Sequence, residues 1–330
     1  MTNLDHGKFT RVTTTFHSLL ALDVFLLFFT GYSLTFNDEL WWLLTLMGGA
    51  EGVTALHRVA GFGLISLIGF WAILMLTTDT GRSNFRAIVP TGDDVRAFIQ
   101  DVQFVLGNAD ERHPNAKQFA GGDHESIPLL SYIGKGVVFI FAIELFLLTI
   151  SGLLIWSKTG LMQYFGTKTA AMAFVVFHGL LGVIMLMGVM FHVFEHGFHP
   201  AFYPVEPKAF IPRELIPETH ADGDISDLTL APSWNTVSNV MGALTVVGIV
   251  SVMIGSIFDE GYPVPRELTV GGGPEHLLLT VGINAGIFVL FVGLVLSMYG
   301  NLLRVRWERR LEEERESGRT TATDGGTPDD

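Results

Sequence analysis

The chain has 330 residues, of which 49% are hydrophobic, and its formal net charge is −13. The mean hydropathy of +0.43 is too high for an ordinary soluble domain and is typical of a polytopic membrane protein. The chain contains no cysteine, which excludes disulfides, iron–sulfur ligation and a covalently attached c-type haem. The acidic balance argues against nucleic-acid binding and is compatible with a halophilic source.

Six apolar stretches are each about 20 residues or longer, so each can cross a bilayer as a helix. They contain at most one charged residue apiece: Phe16–Phe36, Leu56–Thr77, Gly136–Ser157, Ala171–Phe194, Ser238–Phe258 and His276–Tyr299. A shorter run, Leu40–Met47, contains Trp41 and Trp42 and indicates a piece anchored at the membrane interface. No cleavable signal peptide is evident, so we expect the first span to be retained.

The basic residues predict the orientation of these spans. With the N-terminus inside, sixteen lysines and arginines lie in the inner segments and four in the outer segments. Because basic residues are concentrated in cytoplasmic loops, we expect a multi-pass protein of the cell membrane with both termini in the cytoplasm.

The chain divides into four segments in this interpretation. A core of four spans (16–36, 56–77, 136–157 and 171–194) occupies residues 1–200, and a Pro-rich acidic linker follows at 201–236. Two additional transmembrane helices lie within 237–300, and the charged tail at 301–330 is expected to be disordered. Between the second and third spans, Asp93–Leu106 has the spacing of a helix lying along the membrane surface. No internal repeat is evident.

Four histidines lie on three of the core spans. His178 and His192 are fourteen residues apart, so they leave nearly the same face of one helix about 21 Å apart along it. His17 begins the first span and His57 the second. The topology therefore pairs His57 with His178 near the outer side and His17 with His192 near the inner side. Two pairs of imidazoles at two depths are what two bis-histidine b haems require, and they are predicted to be the axial iron ligands.

Several residues nearby allow other interpretations. Glycines flank the ligands and would leave room for a porphyrin, although small residues also serve helix packing: Gly61, Gly63, Gly179, Gly182 and Gly188. His196 and His199 compete with His192 for the inner position. The string His192-Val-Phe-Glu195-His196 fits an inverted zinc-protease pattern, but it ends a membrane helix where such an enzyme would need a roomy soluble domain.

Two acidic residues lie within spans, where charge is expensive and usually faces the bundle interior. Glu144, in the third span, could relay protons to a quinone or hydrogen-bond a neighbouring helix. Asp23, in the first, could approach the inner haem or a quinone.

Four short strings carry a family resemblance. They are Phe16-His17-Ser18-Leu19, Leu56-His57-Arg58 with Gly61, Ser151-Gly152 with Ile155-Trp156, and Val176-Phe177-His178-Gly179 with Gly182 and His192. Over about residues 8–200 the chain resembles the gamma subunit of formate dehydrogenase-N, within the wider group of hydrogenase-type membrane cytochromes b.

This resemblance implies a prokaryotic four-helix core that holds two b haems on the same two histidine pairs. It also implies an iron–sulfur partner subunit docked at the outer haem, a molybdopterin catalytic subunit beyond it, and quinone near the inner haem. The family's quinone motif survives here only in part, as Ser131-Tyr132-Ile133-Gly134-Lys135. Tyr132, Gly134 and Lys135 are the candidate quinone contacts. The last two spans have no counterpart in the resemblance.

The sequence thus predicts an all-α membrane protein, namely a di-haem cytochrome b bundle plus two C-terminal transmembrane helices. Its expected function is to carry electrons between an iron–sulfur subunit and membrane quinone, while substrate catalysis occurs on a partner. A hydrogenase-linked or standalone quinone-reactive cytochrome b is the alternative. A proton-coupled transporter without haem is the alternative from another class.

Overall fold

The computed structural model describes residues 11–113, 132–157, 163, 168–198, 210, 235–258 and 274–324. These residues form helices joined by turns, and no strand occurs among them. Six helices are long and apolar enough to cross a membrane, which confirms the predicted all-α fold: Arg11–Thr35, Gly49–Thr77, Tyr132–Trp156, Met172–Phe198, Thr236–Gly255 and Leu277–Arg310.

The helices follow in chain order, and a π-helical turn at Phe194–Phe198 separates the seventh from the eighth. They are α1 (Arg11–Thr35), α2 (Trp41–Leu46), α3 (Gly49–Thr77), α4 (Asp79–Ile88), α5 (Gly92–Val105), α6 (Tyr132–Trp156), α7 (Lys168–Val193), α8 (Asn235–Phe258) and α9 (Pro274–Asp324). By contact they divide into two compact units. One comprises Met1–Lys8 and Leu64–Met185, and the other Phe9–Gly63 and Leu186–Asp330.

The first two spanning helices begin earlier than the apolar stretches that predicted them. Helix α3 begins at Gly49, directly after a turn in which Gly48 and Gly49 both have positive φ, +89° and +76°. His57 therefore lies about two turns inside α3 and not at its beginning. His17 likewise lies within the second turn of α1. Hydropathy marks the lipid-facing part of a helix, whereas a glycine-permitted turn marks where the helix begins.

In the unit that contains Leu64–Met185, the short helices α4 and α5 pack against α6. Helix α5 confirms the predicted amphipathic segment, and a threonine–aspartate capping arrangement begins it: Thr91 N donates to Asp94 Oδ2 at 2.6 Å. The same carboxylate accepts a 2.9 Å bond from Lys135 Nζ on α6, and both side chains are buried. A second bond joins the two helices, because Tyr132 donates its hydroxyl to Asp101 at 2.6 Å.

In the other unit, α9 runs antiparallel to α1. Asn284 Nδ2 donates to the backbone oxygen of Glu39, 3.4 Å away, beyond the end of α1. At the opposite end, Arg304 donates to Thr15 Oγ1 at 3.1 Å. Helices α8 and α9 pack closely through glycines, since a Cβ on Gly255 would come 2.9 Å from the backbone nitrogen of Leu279. Such close approach of backbones is a common way for membrane helices to associate.

The tail prediction is wrong for the residues that the structure describes. Helix α9 continues from the last span to Asp324, so residues 301–324 are helical and not disordered. Elongating an existing helix costs far less than nucleating a new one. Arginine and glutamate also recur four residues apart, as in Arg309 with Glu313, which supports a solvated helix. Of the predicted linker 201–236, the structure describes Phe210 and the two residues that begin α8.

Candidate functional site

His57 is held by a hydroxyl of the neighbouring helix. Its Nδ1 lies 2.8 Å from Thr30 Oγ1 on α1. That hydroxyl is also 2.7 Å from the backbone oxygen of Leu26, one turn earlier, to which it donates its hydrogen. Because the hydroxyl hydrogen is used in this bond, Thr30 Oγ1 accepts the hydrogen of His57 Nδ1. The neutral ring then carries its lone pair on Nε2, the nitrogen that can bind a metal.

His178 has the same arrangement within the other unit. Its Nδ1 lies 2.8 Å from Ser151 Oγ on α6. Ser151 Oγ is 2.7 Å from the backbone oxygen of Leu147 and donates to it. The lone pair of His178 is therefore also directed to Nε2. Metal-bound histidines almost always donate their second ring nitrogen in this way, which fixes the tautomer and the ring orientation.

A glycine after each hydroxyl residue makes room for the imidazole. A Cβ added to Gly31 would lie 3.2 Å from His57 Cε1, and one added to Gly152 would lie 3.3 Å from His178 Cε1. Both distances are tighter than ordinary van der Waals contact, so larger side chains there would displace the rings. A hydroxyl and the adjacent glycine thus together fix the position of each histidine.

These matching arrangements show a local repeat that the sequence analysis missed. Five residues on α1 and α3 each have a counterpart 121 residues later in the chain. The pairs are Asp23 and Glu144, Thr30 and Ser151, Gly31 and Gly152, His57 and His178, and Gly61 and Gly182. The residues between them differ between the two segments, so overall similarity does not reveal the offset. The constant spacing of 27 residues from hydroxyl to histidine is the signal that could have found it.

The repeat includes the two intramembrane acids. Asp23 Oδ2 and Glu144 Oε2 are buried, and neither atom has a hydrogen-bond partner among the described residues. Asp23 lies against Gly63, where an added Cβ would come 2.8 Å from its Oδ1. Gly63 therefore accommodates this carboxyl group, whereas Gly61 adjoins open space with no described atom within 4 Å.

The rings of His17 and His192 lie close together within a single unit. Their centroids are 6.3 Å apart, and their planes are inclined at 56°. Because a metal–nitrogen bond is about 2 Å long and each ring centre lies about 1 Å from its nitrogen, a separation of about 6 Å between two ring centres leaves room for one metal ion. The observed separation therefore fits one iron between the two rings. On this geometry, and on the tautomers of His57 and His178, the residues present fit bis-histidine haem ligation.

His196 is the alternative to His192 as the inner haem ligand. Its ring packs beside that of His192, with ring centroids 4.8 Å apart. It lies in the π-helical turn that follows α7, a distortion that occurs often at functional sites. His199 lies outside the described residues. No group of three or more His, Cys, Asp or Glu side chains that could hold a metal occurs within the described part of the chain. The structure thus gives the zinc-protease pattern no support there.

One contact of the inner pair comes from the Pro-rich segment. Phe210 is buried and meets the ring of His17 edge-on, with centroids 6.0 Å apart. The additional spans lie close by, since a Cβ on Gly293 of α9 would come 2.7 Å from Val193, the residue after His192. Ser238 of α8 donates to the backbone oxygen of Phe198 in the π-helical turn. The additional helices therefore help to enclose the inner histidine pair.

Two of the candidate quinone contacts make other bonds. Tyr132 bonds Asp101 and Lys135 bonds Asp94, so these side chains fasten α5 to α6. Gly134 lies between them in the first turn of α6. The assignment of these three residues to quinone binding stays a prediction.

A family model described as prokaryotic cytochrome b561 matches residues 8–212. The chain belongs to the prokaryotic cytochrome b561 family. It is therefore a helical membrane protein of the b-type cytochromes, which take part in electron transfer, and the matched region contains all four predicted histidine ligands. Neither a curated protein nor a solved structure gives a significant match. Helices α8 and α9 lie beyond the matched region.

Proposed function

We propose that this protein carries electrons across the membrane through two b haems, between a redox partner subunit and membrane quinone. His57 and His178 would hold one haem, and His17 and His192 the other. Bound haem would supply one-electron chemistry, and iron with two protein ligands leaves no open position for a substrate. The separation of 6.3 Å between the rings of His17 and His192 is the observation that carries the proposal.

The protein's own residues would set how readily each site accepts an electron. Thr30 and Ser151 keep hydrogen on the Nδ1 atoms of their histidines, which makes the opposite nitrogens better donors to iron. Phe210, which is buried and packs edge-on against His17, would limit the access of water to the inner iron. Burial and ligand hydrogen bonding are two of the means by which proteins adjust haem potentials.

The partners proposed from the resemblance are an iron–sulfur subunit and a molybdopterin catalytic subunit, as in formate dehydrogenase. The chain has no thiolate for a cluster, so any iron–sulfur cluster in this pathway would belong to another subunit. The distribution of basic residues supports cytoplasmic termini, with the His17–His192 pair on the inner side. Quinone near that pair, with Tyr132, Gly134 and Lys135 as candidate contacts, is part of the same proposal.

Transmembrane electron transfer can be measured directly on the purified chain. Vesicles that contain the protein and enclose ferricyanide would receive a quinol in the outer solution, with protein-free vesicles as the control. We expect the internal ferricyanide to be reduced, two per quinol oxidised, and the rate to fall at least tenfold in His57→Ala and in His192→Ala. Equal rates in protein-free vesicles and in those variants would contradict the proposal.

A further inference from the structure

A groove lies on the face shared by α1 and α9. It has a volume of about 220 Å³. Its apolar part is lined by Leu19, Leu22, Leu294 and Met298, all in exposed or partly exposed positions. Its polar part is lined by Thr15, Ser18, Ser297, Asn301 and Arg304. Helix α1 lies within the region that matches the cytochrome family and α9 lies outside it, so the groove forms where the additional part of the chain meets the matched part.

The groove has a polar end and an apolar end. Arg304 and Thr15 lie at the polar end, where the guanidinium donates to the threonine hydroxyl at 3.1 Å. Leu294 lies ten residues earlier on α9, which is about 15 Å along the helix. Leu22 lies about 10 Å along α1 from Thr15. The groove thus changes from charged to apolar from the membrane boundary inward, as a phospholipid does from headgroup to acyl chain.

A buried donor at the polar end has no acceptor among the described residues. The Nε atom of Arg304 is buried and makes no hydrogen bond there, although another nitrogen of the same guanidinium bonds Thr15. Buried polar groups are almost always hydrogen-bonded, so an exception needs an explanation. An anionic oxygen in the groove would accept this hydrogen, and arginine binds phosphate oxygens well.

The local charge also favours an anion. Between residues 304 and 310, α9 carries four arginines against one glutamate, namely Arg304, Arg306, Arg309 and Arg310 against Glu308, and Glu312–Glu314 follow at least two turns beyond Arg304. The chain as a whole carries −13. A basic cluster at the end of a transmembrane helix is typical of anionic-lipid recognition. A neutral quinone could accept hydrogen bonds here, but it would not require this concentration of positive charge.

We propose that the groove between α1 and α9 binds an anionic phospholipid, with its phosphate at Arg304 and one acyl chain along Leu22 and Leu294. None of the residues that line the groove is a predicted haem ligand, but Thr15 and Ser18 lie on either side of His17 along α1. The site gives the additional helices a second role besides covering the inner histidine pair, because the lipid would hold α9 against α1 at the membrane boundary.

The test is lipid retention by the full chain purified in a neutral detergent, measured by native mass spectrometry after incubation with phosphatidylglycerol or phosphatidylcholine. We expect phosphatidylglycerol to remain bound at least tenfold more than phosphatidylcholine. Arg304→Gln should reduce its retention at least tenfold. Arg306→Gln removes the same charge from the same helix outside the groove and should reduce retention at most threefold.

A second variant keeps the guanidinium and blocks the apolar part. Leu294→Trp should abolish retention of phosphatidylglycerol while Arg304 remains, and the helix content by circular dichroism should match the wild-type protein. Equal retention of the two lipids, equal effects of Arg304→Gln and Arg306→Gln, or displacement of the lipid by a short-chain quinone at equal concentration would overturn the proposal.

Discussion

Thr30 accepts a hydrogen bond from His57 because its own hydroxyl hydrogen is donated to the backbone oxygen of Leu26. The ring is thus fixed in the tautomer that presents Nε2. Ser151 and His178 repeat this relationship with the same sequence separation. The two hydroxyls do not touch the predicted iron positions, yet they determine which nitrogen of each histidine can bind there.

Replacing Thr30 with valine should weaken haem binding at His57. Valine has nearly the same shape but no acceptor, so the ring loses the bond that orients it. Loss of such a supporting partner typically reduces metal affinity by about 10–100-fold. Haem retained per chain, measured after dilution and gel filtration, is expected to fall.

Thr30→Ser is the matched control, because serine keeps the hydroxyl. It should retain wild-type haem content. If Thr30→Val bound haem as firmly as Thr30→Ser, the hydroxyl would have no part in positioning the ligand.

Variants of the inner histidines test whether His192 or His196 is the haem ligand. The rings of His17 and His192 are separated by a distance that suits an iron, whereas His196 packs beside His192 from the π-helical turn that follows α7. His17→Ala and His192→Ala should each lose about half of the haem. His196→Ala should keep it, apart from a change in midpoint potential. A full haem complement in His192→Ala with a loss in His196→Ala would assign the position to His196.

The ion pair between Lys135 and Asp94 should matter far more for stability than an exposed pair on the same helix. Both side chains are buried, with exposed fractions of 9% and 6%. Removing one partner of a buried pair typically destabilises a protein by about 3–5 kcal/mol, since the remaining charge is left without compensation. Lys135→Met should therefore lower the unfolding temperature markedly, measured by circular dichroism.

Arg96→Met provides the control, because Arg96 and Asp93 form an ion pair on the exposed side of α5. Exposed pairs contribute about 0–1 kcal/mol. The double variant Lys135→Met with Asp94→Leu should recover most of the lost stability. Equal effects of Lys135→Met and Arg96→Met would contradict a structural role for the buried pair.

Acidification should release α5 from α6 only at low pH. The pKa of Asp101 lies below its ordinary value of 3.8, chiefly because Arg112 donates a hydrogen bond to it. Burial would raise the pKa of Asp94, but hydrogen bonds from Lys135 and Thr91 outweigh that effect and lower it. A lowered pKa stabilises the folded state above the ordinary pKa, and this contribution is lost as the pH falls through the folded value.

Hydrogen exchange of residues 92–105 is therefore expected to stay constant from neutral pH down to about pH 4 and to rise below it, after correction for the intrinsic rate. In Asp101→Asn, the increase in hydrogen exchange at low pH should be smaller than in the wild-type protein, because the titrating carboxyl group is absent. An increase in exchange that began near pH 6 would show that another group controls the docking.

The sequence predicts the six spans correctly because length and hydropathy alone determine whether a helix can cross a bilayer. It also predicts a separate short segment at Leu40–Met47, where the structure has the helix Trp41–Leu46 with both tryptophans exposed, and the amphipathic helix α5. It places His57 at a helix end because hydropathy does not record the turn at Gly48 and Gly49. The charge of residues 301–330 alone predicts a disordered tail. Charge does not show that these residues continue a spanning helix.

The supporting residues of the site could not be predicted from composition. Thr30 and Ser151 are two of several hydroxyl residues within apolar helices, where such side chains commonly bond the preceding turn. Only the structure shows that each also contacts a histidine 27 residues later. Phe210 likewise lies in a Pro-rich segment with no helical pattern, so nothing in the sequence indicates its contact with His17.

Haem quantitation on the purified full-length protein tests the central claim most directly. The pyridine haemochrome spectrum of the wild-type protein should give two b haems per chain, and each of the variants His17→Ala, His57→Ala, His178→Ala and His192→Ala should give about one. Loss of the same single haem in all four variants, or a spectrum with no b-type band, would contradict the account.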